Sequence, residues 1–197
     1  MKKYIIDVGS SSDGGHGLDM SKRTGIPVIF IEPNKEALDK LKSNENDIKL
    51  NLAITSYDGE VEFNYYQEGT HSILETNLDE IHKFIDGYSG RNADPKDWVA
   101  RKKEIVKCCK LSTIIKQFEI DEVFYLKIDT QGHDFEAIKS IEDQLYKVNT
   151  LECEVQLTDF EIYKNQSKKT ELVEYLLKND FILVSSNQQT FGQEENL

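Results

Sequence analysis

Short apolar runs alternating with helix-length segments constrain this chain more than anything else in it. Residues 4–8 (YIIDV), 28–31 (VIFI), 48–54 (IKLNLAI), 104–109 (EIVKCC), 123–128 (VFYLKI), 148–157 (VNTLECEVQL) and 181–185 (FILVS) read as strands. Residues 18–24, 35–44, 112–118, 135–146 and 169–179 read as helices, and Asn34 stands where the second of them needs an N-cap. After an Asp58-Gly59 turn, EVEFNYY at 60–66 alternates as a half-buried strand. Strands and helices that alternate in this way give a mostly parallel, twisted sheet with helices on both faces. The alternation is interrupted once. Residues 67–103 form a long polar stretch, with a helix expected at 78–85, inserted before the fourth sheet strand. The expected architecture is α/β: one domain over residues 1–197, with an inserted segment on the substrate side at about 67–103.

Composition narrows the partners. Twenty-four Lys and Arg face 36 Asp and Glu, a formal net charge of −12. Such a chain is repelled by phosphate backbones, so no nucleic-acid partner is expected. The longest apolar runs are strand-sized, so no membrane partner is expected either. The three cysteines, Cys108, Cys109 and Cys153, lack the spacing of a disulfide framework or a zinc site and suit a reducing compartment. The N-terminus runs from Met1-Lys2-Lys3 straight into YIID, unlike a secretory signal. A cytoplasmic location is the expectation.

Open α/β sheets bind ligands outside the carboxyl ends of their strands, and the polar residues of this chain fall there. Asp7 and Gly9 end the first strand, and Glu32 ends the second. Asn51 and Ala53 lie toward the end of the third and Asp129 ends the fourth, with Glu154 and Gln156 toward the end of the next. Gly9, Ser10 and Ser11 open a loop of small residues whose backbone N–H groups are expected to approach a ligand. Glu32 follows Gly9 by 23 residues, about the interval at which an acid reaches a ribose diol. Asn51 is placed to meet an adenine edge, with Ala53 against the ring. The first half therefore suits an adenosine-like nucleoside. The stretch 125-YLKIDTQGHDFEAI-138 then sets Asp129, Gly132 and His133 at the end of the fourth strand. Asp129 is a candidate for orienting a ligand. His133, whose imidazole ordinarily titrates near neutrality, is a candidate base or simply the start of the next helix. Asp129, His133 and Glu154 are possible metal ligands by type, but their spacing is not diagnostic and no metal is expected.

Taken together, 6-IDVGSSSDG-14, 28-VIFIEPNKEALDKLKSN-44, 51-NLAITSYDGEVEF-63, 70-THSILE-75 and 126-LKIDTQGHDFEAIK-139 resemble the FkbM-type, S-adenosylmethionine-dependent methyltransferases. The resemblance spans about residues 6–197. It implies a Rossmann-like class I methyltransferase fold with S-adenosylmethionine as cofactor. Asp7, Gly9, Ser10, Ser11, Glu32, Asn51, Ala53 and Asp129 would bind the cofactor, and Asp129 and His133 would serve catalysis. His71 and Ser72, in the matching THSILE segment, would touch the acceptor, a small molecule or glycan hydroxyl. Tyr65, Tyr66, Tyr88 and Trp98 are candidates to stack on a sugar ring. Three departures stand out. Ser10-Ser11-Ser12-Asp13 replaces a more glycine-rich loop. The chain starts at the first strand, and 191-FGQEENL-197 stops before or inside the family's last strand, so an open or partner-closed pocket is expected.

Two other readings remain at this point. Gly9-x-Ser11-x-x-Gly14 is one substitution from a dinucleotide fingerprint, which suits a nicotinamide-dependent oxidoreductase. A non-catalytic binding module of methyltransferase fold would tolerate the altered loop. The sequence leaves the oligomeric state open.

Overall fold

The computed structural model describes residues 1–67, 69–87 and 94–197, so Tyr88 lies outside the described residues. The elements in chain order are β1 (Lys3–Val8), α1 (Gly15–Thr24), β2 (Val28–Ile31), α2 (Lys35–Lys40), β3 (Ile48–Leu50), β4 (Ala53–Ile54), β5 (Gly59–Tyr65), α3 (Ile81–Gly87), β6 (Lys102–Cys109), α4 (Leu111–Gln117), β7 (Glu122–Ile128), α5 (Asp134–Lys139), β8 (Leu151–Gln156), α6 (Lys169–Lys178), β9 (Asn187–Gln189) and β10 (Glu194–Asn196). They form two compact units. The first comprises Met1–Val61, Ile105–Asp129 and Glu136–Glu152. The second comprises Glu62–Glu104, Thr130–Phe135 and Cys153–Leu197.

In the first unit four strands run parallel in the order β3-β2-β1-β7. Asp7 lies opposite Phe30 on one side and Lys127 on the other. The reason for this order is burial. All four residues of β2 are fully buried, and Ile5, Ile6 and Val8 of β1 are nearly so. A strand covered on both faces reads as an unbroken apolar run, and each such side chain contributes roughly 1.5–3 kcal/mol of burial. Ile5, Val28, Phe30, Leu38, Leu41 and Tyr125 form one core cluster, with Leu18 and Met20 of α1 packed against it. Helix α2 is capped as its sequence predicts: Asn34 Oδ1 accepts the N–H groups of Glu36 and Ala37. It ends at Lys40, short of the expected 44, because Leu41 turns extended and is itself buried.

In the second unit β8, β10 and β9 are antiparallel neighbours in that order. Its core gathers Tyr66, Ile81, Phe84, Trp98, Ile162 and Tyr163. A smaller three-stranded sheet has the order β4-β6-β5, with β4 parallel to β6.

Four further sequence expectations change. Residues 48–54 form two strands in two sheets. β3 pairs with β2 up to Leu50, and after Asn51 and Leu52 the strand β4 pairs with Cys108 and Cys109. The helix expected at 135–146 stops after Lys139, and a 3₁₀ turn, Glu142–Lys147, follows. Glu142 takes a left-handed φ of 57° there, and its carboxylate receives Lys110 and the Ser112 hydroxyl. The apolar run 181–185 is not a strand: Ile182 and Val184 are 77% and 78% exposed, and pairing begins only at Asn187. Tyr66 and Trp98 are core residues of the second unit, 4% and 6% exposed, rather than surface rings for a sugar. Among the described residues no helix is long and apolar enough to cross a membrane.

Candidate functional site

The first unit draws most of the expected cofactor residues to the carboxyl ends of its parallel strands. β1 gives way to the loop at Gly9, and β7 to Asp129, whose N–H donates to Val8 (3.0 Å). The N–H groups of Gly9 and Ser10 point to the Ile31 carbonyl at 2.9 and 3.4 Å. The N–H of Ser11 donates to Glu32 Oε2 at 2.9 Å. The loop donors expected to face a ligand are thus turned toward β2 and the acid at its end. Ser11 reaches this geometry with a φ of 53°, in the left-handed region.

Glu32 is the organising acid. It is 7% exposed, and its second oxygen accepts the N–H of Asn34 at 2.8 Å. Burial pushes its carboxyl above the usual range, and the two backbone N–H groups oppose that rise. A carboxylate offers about four acceptor positions, so two bonds leave capacity for a diol. Asn51 donates its amide to the carbonyls of Glu32 and Pro33, both at 2.9 Å, and so clamps the end of β3 to the end of β2. Ala53, buried at 4% exposure, opens β4 two residues later.

Asp7 is 1% exposed. Its Oδ2 accepts the N–H of Gly17 in α1 at 3.0 Å. Its Oδ1 and the hydroxyl of Ser10 are buried with no hydrogen-bond partner among the described residues. Burial pushes the Asp7 carboxyl up to about 6, against the pull of the Lys127 ammonium. That ammonium lies 3.9 Å from Asp7 Oδ1 and 3.3 Å from Asp129 Oδ2. Lys127 was not singled out from the sequence for any role. Its signal was a lone cation two positions before Asp129 in an apolar strand, on the same face by the strand's period of two. A second missed group lies beside it. His16 Nδ1 is 2.5 Å from Glu152 Oε1, and the other Glu152 oxygen accepts the Tyr125 hydroxyl. Burial, then that carboxylate, raises the Tyr125 phenol well above its ordinary range.

The acceptor candidates belong to the second unit. Ser72 is 1% exposed; its hydroxyl donates to the Gln131 carbonyl (2.8 Å) and accepts the Leu74 N–H (3.0 Å). His71 Nδ1 accepts the Tyr66 N–H at 3.1 Å, and its ring lies 5.4 Å from that of Tyr65. His133 is partly buried and immediately precedes α5. The next residue, Asp134, is 3% exposed and accepts the N–H groups of Thr130 and Gly132. A small pocket of about 30 Å³ opens in this unit, lined among others by Gln131, Gly132, Asp134, Glu154, Gln156 and Tyr163. Among the described residues no group of three or more His, Cys, Asp or Glu is placed to hold a metal ion.

No curated protein and no solved structure matches the chain. Residues 15–183 match the methyltransferase FkbM domain, a span that holds Glu32, Asn51, Asp129 and His133 and begins just past the Asp7–Gly14 loop. The chain belongs to the FkbM methyltransferase domain family.

Proposed function

We propose that this protein is an S-adenosylmethionine-dependent methyltransferase that acts on a hydroxyl of a small molecule or carbohydrate. The observation that carries the cofactor is the pair of polar atoms beside the Glu32 loop. Asp7 Oδ1 and Ser10 Oγ are buried in residues 1% and 3% exposed, and neither has a hydrogen-bond partner among the described residues. Buried polar atoms are nearly always hydrogen-bonded. One acidic acceptor and one hydroxyl suit the ammonium and carboxylate of an amino-acid group. Glu32, with lone pairs to spare, suits a ribose diol, with Asn51 and Ala53 as the candidate adenine contacts. The residues fit the cofactor.

Bound there, S-adenosylmethionine supplies an electrophilic methyl group. The chain's own contribution is alignment and proton removal. Glu32 would hold the ribose, and Asp7 with Asp129 would hold the amino-acid end, with Lys127 restraining both carboxylates. His133 takes the acceptor hydroxyl's proton, and His71 and Ser72 shape the acceptor side. The membership in a methyltransferase family supports the reaction class, and the hydroxyl acceptor is what the resemblance to that family implies.

Calorimetry with S-adenosylmethionine, S-adenosylhomocysteine and NADH tests this reading. Binding of the first two but not of NADH is expected. Glu32→Ala should weaken that binding by more than about tenfold, since it removes the diol acceptor and leaves two N–H groups unmet. Binding of NADH alone would favour an oxidoreductase. Folded protein that binds none of the three would leave a non-catalytic module.

A further inference from the structure

We infer that His16 and Glu152 are positioning residues of the proposed cofactor site: their contact seats the first turn of α1, and that turn decides which oxygen of Asp7 is left free for a ligand's ammonium. The turn is weak by itself. Three of the four residues 14–17 are glycine, and glycine in a helix costs about 1 kcal/mol relative to alanine. Gly14 stands at the N-cap without a side-chain hydrogen bond. Local support comes from Asp13, which accepts the Gly15 N–H at 3.1 Å.

The further ties run to the sheet. His16 Nδ1 lies 2.5 Å from Glu152 Oε1, and Tyr125, a core residue 6% exposed, donates its hydroxyl to the other Glu152 oxygen. An ionised carboxylate only accepts, so the imidazole carries a proton on Nδ1. Glu152 is thus oriented by a side chain of β7 and holds α1 from β8. The next residue, Gly17, gives its N–H to Asp7 Oδ2 at 3.0 Å. That N–H is one of the four that a helix start leaves without an intrahelical acceptor. The seat is close: a Cβ built on Gly17 would lie 2.4 Å from Asp7 Oδ2. Consecutive residues of α1 are therefore fixed to β8 and to β1. While both ties hold, Asp7 commits Oδ2 to the helix. Its Oδ1, buried with no hydrogen-bond partner among the described residues, is kept for the ligand. When the turn lifts, the carboxylate is free to rotate and a preorganised acceptor is lost.

The inference rests on the cofactor reading for the identity of the ligand. Its test uses the full chain at neutral pH, with calorimetry of S-adenosylhomocysteine for affinity and amide exchange for the Gly17 N–H. His16→Leu removes the donor and keeps a branched side chain. His16→Asn places an amide N–H where Nδ1 stood. Tyr125→Phe removes only the hydroxyl that orients Glu152. His16→Leu should weaken binding about threefold to tenfold and speed exchange at Gly17 in the free protein. Its unfolding midpoint should stay close to the parent's, because the imidazole is half exposed. His16→Asn should restore most of both. Tyr125→Phe should weaken binding in the same direction. Combined with His16→Leu it should lose less than the two losses together, since both act through Glu152. With ligand bound, Gly17 should exchange equally slowly in all the variants. Unchanged affinity in His16→Leu, unchanged exchange at Gly17, or losses that add and are not rescued by asparagine would overturn the inference. Variants that bind as tightly as a binding parent remove this inference alone, whereas a folded parent that binds no S-adenosylhomocysteine removes the cofactor reading and this inference with it.

Discussion

Gly9 and Asp129 approach so closely that a Cβ built on Gly9 would sit 1.9 Å from the Asp129 carbonyl oxygen. The ends of β1 and β7 are thereby packed backbone to backbone, which keeps the Asp7 and Asp129 carboxylates on either side of Lys127. Gly9 also has a φ of +74°, which L side chains rarely adopt. Gly25, at the C-terminus of α1, has nearly the same φ of +72° and no atom within 4 Å of its notional Cβ. The two therefore separate strain from collision. Gly25→Ala should cost about 1 kcal/mol. Gly9→Ala should cost roughly 3 kcal/mol or more, because neither carbonyl nor loop can yield without parting the strands. Denaturant unfolding of both variants measures this, and equal losses would show that the close approach is not a constraint.

Asp7 gives the site a pH dependence whose sign can be worked out. Its carboxyl titrates near 3.8 in an unfolded chain and at about 6 in the fold, mainly because burial disfavours the charge. Between those values the folded protein binds more protons than the unfolded one. Its contribution to stability is therefore fully present below about pH 4 and is lost as pH rises through 6. The shift corresponds to about 3 kcal/mol. Asp7→Asn keeps an acceptor for the Gly17 N–H and cannot ionise. The variant should match the parent at about pH 4 and become the more stable protein by up to about 3 kcal/mol at pH 7. Unfolding free energies across that range check it; a constant difference would mean that Asp7 is not the titrating group.

Ser72 ties the THSILE segment to the turn after Asp129. Its hydroxyl satisfies the Gln131 carbonyl and the Leu74 N–H at once, at 1% exposure. Ser72→Ala removes both bonds and should cost about 1–3 kcal/mol. Hydrogen exchange should show lower protection at Leu74, and an unchanged rate there would remove the link.

How much of this was legible in the sequence depends on the kind of interaction. β2 was legible because VIFI is buried on both faces and therefore apolar throughout. Glu32 and Asp129 were legible because an acid directly after such a run marks a strand's carboxyl end. Asn34 announced its own cap. The inward turn of the Gly9–Ser11 donors was not legible, since backbone direction leaves no trace in side-chain identity. The pairing of His16 with Glu152 joins residues 136 positions apart, and nothing local in either segment reports it. Lys127 was visible as a residue but not as the cation between Asp7 and Asp129, which depends on the register of β1 against β7.

The run 181–185 shows the converse, a strong sequence signal that the fold does not use. FILVS has the composition of a buried strand, yet Ile182, Leu183 and Val184 are 77%, 57% and 78% exposed. Composition reports what a segment favours and cannot report whether another layer covers it. The difference is measurable. In a buried strand, Ile182→Ser and Val184→Ser would each cost roughly 1.5–3 kcal/mol in lost burial alone. At the exposures seen here each should change stability by no more than about 0.5 kcal/mol, and solubility should improve as apolar surface is removed. Urea unfolding of the single and double variants decides between the two. Losses of several kcal/mol would mean that the segment packs in solution as its composition demands, with 181–185 rather than Asn187–Gln189 forming the strand after α6.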